Sequence, residues 1–340
     1  MARSGSTKTV GAAKGHLLGA ESVYIACHIL PDGDAIGSML GLGRALRQLG
    51  KSCTMACADA ISGKYDFLPG LHEIVSRPPE AEGVLVTVDC SDVERLGALY
   101  TTSAFGSRPV INIDHHVTNT GFGTVNLVEF LPSTAEIVYS LIKKLGTPVD
   151  EPIAAALLTG LVTDTRCFRT GNVTAKQLRT SIALMAAGAS LAQINELVYN
   201  REPISTVCLW GQALASVVTR GRIIWTEINR DMMRRCRASP NEGNGLVSFL
   251  ASTMGVDVAI VFREQDDGRI EVSMRAGPGW DVSGAALRLG GGGHPRAAGC
   301  TIAGSMPAVR KRVLTEIEGA LYQQESVRAV GAGNPDYQQA

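Results

Sequence analysis

Two domains are expected, an N-terminal α/β domain built on a mostly parallel sheet flanked by helices and a smaller C-terminal α+β domain. Three observations predict them. At 340 residues the chain exceeds one ordinary domain. In its first part short β-rich apolar runs alternate with helical patterns, which implies parallel strands covered on both faces, with ligands at their carboxyl ends. From about residue 216 strands return between short helical stretches, and the charge balance changes from −2 over residues 1–215 to +3 over residues 216–320. That asymmetry suits metals in the first part and phosphate contacts in the second. The 45% hydrophobic and 19% charged composition can bury a sizeable core, and a formal net charge of zero argues against an electrostatically driven DNA coat.

The elements follow in order. The opening MARSGSTKTVGAAKG is polar, lacks the apolar stretch of a signal peptide, and reads as a flexible arm over residues 1–18. VYIAC (23–27) is a strand, and residues 35–49 have helical spacing that ends at Gly50, a usual helix stop. Strands follow at 51–56, 84–88 and 109–113, and completing this first domain, 19–189, are three helical segments: STAEIVYSLIKKL, DEPIAAALLTGLV and TAKQLRTSIALMAA. The first and third open on a Ser or Thr suited to capping. LAQINELVYN and PISTVCLWGQAL form a helical linker, 190–215. The second domain, 216–325, has strands at 223–228, 256–263, 269–275 and 297–302, with helices at 243–252, 282–289 and 307–321. Residues 326–340 read as a disordered tail. The longest apolar run, Ile153 to Val162, is well short of the ~20 residues that span a bilayer, so no membrane role is expected. Eight cysteines include no C-x-x-C, and Cys27, Cys90 and Cys300 lie in or beside apolar runs. They read as reduced core thiols of a cytoplasmic protein, with neither disulfides nor a zinc-thiolate site.

The chemistry is concentrated in four acidic clusters that follow core runs: HILPDGD (His28, Asp32, Asp34), VTVDCSD (Asp89), INIDHH (Asp114, His115, His116) and GLVTDT (Asp164). Carboxylates delivered repeatedly to the ends of buried elements are costly to desolvate, and a pair of metal ions supplies the compensating charge. Each cluster also has a plainer reading. HILPDGD is a helix-entry loop with Asp34 as cap, Asp89 alone is an ordinary polar residue, and DHH is a hydrogen-bonded turn. If the chain is extended there, Asp32 and Asp34 project the same way and serve two adjacent ions. Adjacent histidines after a strand point to different sides, so one can bind metal while the other faces substrate.

In this order and with these gaps, HILPDGDAIGS, VTVDCSD, INIDHHVTN and LVTDT resemble the four motifs of the DHH phosphoesterase family, and LGGGGHPRAAG resembles the GGGH motif of the DHHA1 domain that accompanies it. STAEIVYSLIKKLG and the short linker resemble the NrnA-type subgroup, the oligoribonuclease and 3′-phosphoadenosine 5′-phosphate (pAp) phosphatases. The resemblance covers about residues 20–322. It implies a first metal held by His28, Asp32 and Asp89 and a second held by Asp34, Asp89, His115 and Asp164, with Asp89 bridging. It further implies that His116 donates towards the scissile phosphate and that Asp114 orients the histidine pair. The donors are all nitrogen or oxygen with several carboxylates, which suits two Mn²⁺, with Mg²⁺ or Co²⁺ as substitutes. A water activated by two ions then attacks in line, with no covalent nucleophile.

Gly291, Gly292, Gly293 and His294 are expected to cradle a substrate phosphate, since glycine amides approach closely and an imidazole can add a hydrogen bond. Arg275 lies where the resembling family places a substrate-binding arginine, and a surface ion pair is its plain alternative. Arg166 replaces a small residue after Asp164, and either contacts substrate or turns away to pair with an acid. Trp280 is the one aromatic considered for stacking on a base, Trp210 and Trp225 reading as core or interface. Ser133 and Thr134 cap their helix or touch substrate. The implied activity is hydrolysis of short oligoribonucleotides to mononucleotides, of pAp to AMP, or of both. The alternatives are a soluble cyclic di-AMP or pApA phosphodiesterase and, in another class, a nucleotide-binding sensor without catalysis. Family II pyrophosphatases lack GGGH, and RecJ-type exonucleases carry additional domains. Two domains and a linker imply a cleft that admits a single-stranded or nucleotide end and no stable duplex. The resemblance also allows a homodimer.

Overall fold

The computed structural model describes residues 7–79, 83–106, 108–243 and 245–332. The chain divides into two compact units between Arg201 and Glu202, inside the stretch expected as linker. The first holds α1 (Thr7–Gly19), β1 (Ser22–Cys27), α2 (Gly33–Gln48), β2 (Ser52–Ala56), β3 (Val84–Val88), α3 (Thr102–Phe105), β4 (Val110–Asp114), β5 (Val125–Val128), α4 (Thr134–Leu145), α5 (Glu151–Asp164), α6 (Ala175–Ala186) and α7 (Leu191–Tyr199). Its five strands are all parallel, in the order β2-β1-β3-β4-β5. Alternate side chains of β1 go to opposite faces. Val23, Ile25 and Cys27 join the core under α2, α4 and α5, while Tyr24 and Ala26 meet Leu96, Leu99 and Phe105 from a 3-10 turn and α3. From β1 the chain passes outward to β2 and then returns across β1 to β3, so the carboxyl ends of β1 and β3 flank a switch point, where open sheets of this kind bind ligands.

Helices α2 and α5 pack unusually close. A Cβ on Gly37 would lie 2.2 Å from the Ala156 carbonyl oxygen, and one on Gly160 would lie 2.7 Å from Asp34 Oδ1. Only glycine permits that approach, and it brings the start of α2 to the end of α5, where Asp34 and Asp164 stand.

The N-terminal stretch corrects the reading of a flexible arm. Residues Thr7–Gly19 form α1, which buries Val10, Ala13 and Leu17 against the first core, and Lys14 Nζ donates to the Lys144 carbonyl. The apolar positions recur at helical spacing, but glycines and lysines between them hide the stripe; residues 1–6 lie outside those described. At the other end of this unit α7 is not free linker, because Ile194 and Val198 are buried in the same core and Tyr199 Oη donates to the Val162 carbonyl.

The second unit holds α8 (Ile204–Ala215), β6 (Val218–Arg220), β7 (Ile223–Ile228), α9 (Arg230–Cys236), α10 (Leu246–Leu250), β8 (Val258–Glu264), β9 (Arg269–Ala276), α11 (Ser283–Arg288), β10 (Gly292–His294), β11 (Ala297–Ala303) and α12 (Met306–Ala332). Its six strands form a mixed sheet, β10-β11-β9-β8-β7-β6, in which only β7 and β8 are parallel. One face packs on α11 and α12 through Val272, Met274, Val313 and Ile317, and the other on α8 and α10 through Leu209, Ile224 and Leu250. The tail expected from residue 326 is helical as far as Ala332, and residues 333–340 lie outside those described. Cysteine usage also differs from expectation. Cys208 on α8 and Cys236 on α9 are disulfide-bonded, while the other six are free and mostly buried. Cys208 is on an exposed helix face and Cys236 ends a helix rich in arginine, and their separation of 28 residues carries no spacing signal that would betray the pair.

Candidate metal centre and nucleotide-binding face

The residues of the four acidic motifs converge in the first unit. His28 follows β1, Asp89 follows β3, His115 and His116 follow β4, and Asp164 ends α5. Asp32 caps α2, its Oδ1 accepting from the Asp34 and Ala35 amides at 2.9 and 3.1 Å. The chain is therefore helical from Gly33, not extended, and Asp34 turns away from Asp32 to the mouth of α4. There its carboxylate accepts from the Thr134 amide at 2.6 Å and the Ala135 amide at 2.9 Å, so this buried side chain, and not Ser133, caps α4. Thr134 Oγ1 donates to Asp89 Oδ1 at 2.9 Å.

Three overlapping donor groups result, each with ligand atoms within 4.8 Å of one another: His28, Asp32 and Asp89; Asp34, His115 and Asp164; and Asp89, His115 and His116. Asp89 stands between the first two. Its Oδ2 is 3.5 Å from His28 Nε2, and its Oδ1 is 3.4 Å from His115 Nε2, which also lies 3.2 Å from Asp164 Oδ2. The Asp89 backbone is in the left-handed region at φ 58°, a strained conformation for a non-glycine residue that persists where a site requires it.

The histidines are aimed by their other ring nitrogen. His28 Nδ1 lies 2.6 Å from the Ile29 carbonyl, and His115 Nδ1 lies 3.0 Å from the Leu131 carbonyl, which leaves each Nε2 to the carboxylates. Asp114 orients only one member of the pair: its Oδ1 is 2.7 Å from His116 Nδ1, and its Oδ2 accepts from Asn119 Nδ2. Asn119 and Asn112, which join Asp114 to the Cys90 carbonyl, were not singled out in the sequence because isolated asparagines carry no spacing signal.

The electrostatics of the cluster favour a cation. Burial, then the charge of Asp89, pushes Asp34 and Asp164 well above the usual carboxylate range and shifts Asp32 the same way. Asp89 is also buried, but its hydrogen bond with His28 and the charges of His115 and His116 outweigh desolvation and hold it below that range. Desolvation would lower His116, yet the Asp114 carboxylate wins and raises it. Four carboxylates and three imidazoles at this spacing, with no thiolate among the donor groups, fit a pair of divalent cations.

The second unit places the other expected residues on one strand row. Arg275 on β9 is opposite Ala297 on β11, which is opposite His294 on β10. The next row on the same face is Ser273, Gly299 and Gly292, so small residues leave this end of the sheet open between an arginine and an imidazole. Arg275 and Ser273 also line a cavity of about 370 Å³ with Gly243, Gly245, Val261 and Arg263. The glycine motif is not wholly a loop: Gly291 precedes an edge strand, and Gly292, Gly293 and His294 form it. Trp280, considered for stacking on a base, is instead buried in the core with α11, and Trp225 lies in the same core. Trp210 packs against Phe249. Arg166 is exposed, and with Cys167 and Phe168 forms three successive left-handed residues after Asp164. Among the described residues no acid pairs with it, and its charge acts on Asp164.

The fold and this donor set define a metal-dependent phosphoesterase. The DHH family N-terminal domain matches residues 22–161 and the DHHA1 domain matches residues 233–322, and the chain belongs to the DHH phosphoesterase family. It is similar to the bifunctional oligoribonuclease and PAP phosphatase NrnA of Thermus thermophilus, 36% identical over 309 residues, which cover 88% of this chain and 90% of that one. The protein of that name from Bacillus subtilis is 27% identical over 83% of this chain and 90% of its own length. In fold it is similar to an exopolyphosphatase-related protein from Bacteroides fragilis, with a TM-score of 0.89 at 22% identity, covering 94% of this chain and 98% of that one.

Proposed function

We propose that this protein hydrolyses short single-stranded oligoribonucleotides to mononucleotides and pAp to AMP, with two divalent ions, Mn²⁺ by donor chemistry, held by His28, Asp32, Asp89, Asp34, His115 and Asp164. The observation that carries the reading is Asp89, whose two oxygens face two separate donor groups. The 36% identity to the Thermus protein supports the substrate class. When bound, the ions would supply charge for the phosphoryl oxygens and an acidified water. The chain's own residues do the remaining work. Asp114 holds the Nδ1 proton of His116 and raises its affinity for a second, so His116 Nε2 can deliver a proton to the leaving oxygen. Thr134 Oγ1 fixes the Asp89 carboxylate, and the α4 amides fix that of Asp34, so neither must reorganise as charge develops. Arg275 and His294, on one face of the second sheet, offer donors to a phosphate of the nucleotide.

The test is release of phosphate or mononucleotide, with Mn²⁺, from pAp, pApA, five-residue RNA and cyclic di-AMP by the parent protein and Asp89→Ala. Turnover of pAp and RNA by the parent and none by the folded variant is expected. Preference for cyclic di-AMP would replace the substrate assignment, and binding without turnover would make the protein a sensor.

A further inference from the structure

The 3-10 turn over Glu94–Leu99 carries an arginine that none of the four motifs assigns. Arg95 is half-buried, and its Nη2 lies 3.0 Å from His28 Nδ1. Its position is built rather than incidental. The Arg95 carbonyl accepts from the Ile29 amide at 2.7 Å, its own amide donates to Asp92 Oδ1 at 3.0 Å, and Leu96 and Leu99 beside it are fully buried. Gly97, at φ 56°, lets the turn close on the loop, since a Cβ there would lie 2.6 Å from Ile29 Cγ2.

Among the described residues the guanidinium has one side-chain partner, His28 Nδ1, an atom that also lies 2.6 Å from the Ile29 carbonyl. One ring nitrogen shared with a carbonyl can engage at most one of the five N–H donors of a guanidinium. Among the described residues no carboxylate is within ion-pair distance of Arg95. A rigidly mounted, half-buried cation with free donors beside a phosphoesterase site is matched by an anion that arrives with the substrate. Arg95 reaches the Nδ1 edge of the ring, whereas Asp89 and Asp32 face Nε2. The anion it takes is therefore displaced by the breadth of the imidazole from the group held among the carboxylates.

We propose that Arg95 binds a second phosphate of the substrate, next to the scissile one, and so selects nucleotides carrying two phosphates over single phosphoesters. This rests on the function proposed above.

The experiment compares the parent, Arg95→Met and Arg95→Lys on pAp and on bis(p-nitrophenyl) phosphate, which has one phosphate, and measures Mn²⁺ binding to each protein by electron paramagnetic resonance without substrate. Loss of one charge-assisted hydrogen bond should raise the KM of Arg95→Met for pAp about tenfold more than its KM for the single ester, with partial recovery in Arg95→Lys. Mn²⁺ affinity should stay within about twofold of the parent. Equal KM changes on both substrates would overturn the proposal. A marked fall in Mn²⁺ affinity would overturn it too, by showing that Arg95 only positions His28. A parent protein inactive on both substrates would reject the proposed function itself.

Discussion

Asp32, Asp34 and Asp164 all have raised affinity for protons, chiefly because they are buried. Their ordinary value is about 3.9, so the folded protein binds more protons than the unfolded chain from there upward, and stability falls as pH rises through the raised values. His28 and His116, also raised, stabilise the fold below about 6.5 and lose that contribution at higher pH. Asp89 acts oppositely, but its contribution is complete above about pH 4. Chelator-treated protein should therefore lose Tm by about 5 °C or more between pH 5 and 8. With Mn²⁺ the trend should reverse, because the ions displace those protons. Calorimetric titration in buffers of different ionisation enthalpy should record net proton release on binding. At this scale the sequence was informative about which residues meet, since each stands at a fixed offset from a core run. It did not show that Asp34 caps α4 or that Asp114 orients His116 alone. Those facts depend on contacts between residues 100 apart in one case and on the turn after β4 in the other.

Among the elements, the α2–α5 pair bears most directly on the site. Gly37→Ala should cost about 1–3 kcal/mol, because the new methyl meets the Ala156 backbone rather than a side chain that can swing away, and this outweighs the gain in helix propensity. Denaturant unfolding would measure it, and a stabilised variant would refute the packing account. Strand β9 carries the other test. Arg275→Ala should raise KM for pAp about tenfold with a smaller effect on kcat, since the side chain lies on the row shared with His294 and not in the acidic cluster. Periodicity exposed most strands and helices in advance. The elements it missed were α1, whose apolar stripe is diluted by glycine and lysine, the short helices α3 and α9, and the short strands β5, β6 and β10, which are too brief to show a period. Strand β10 was hidden because a glycine run has no side-chain pattern at all.

For the molecule as a whole, each unit has its own cores, and all the acidic donors belong to the first. Mn²⁺ should raise the calorimetric transition of the first unit by at least about 4 °C and leave that of the second in place; a single transition shifting as one would contradict this. Composition and strand spacing were enough to announce two domains, a mostly parallel sheet in one and an α+β arrangement in the other; that the second sheet is mixed came from the structure. The order, type and gaps of the acidic motifs were enough to name the family by resemblance. What only the tertiary structure decided is how those side chains are shared out. Asp89 faces two groups at once, Asp34 is held by a distant helix, Arg95 is set against the His28 ring, and Trp280 is lost to the core. A linear pattern records which residue follows a strand, but the direction of a side chain and the identity of its partners are set by packing between elements far apart in sequence.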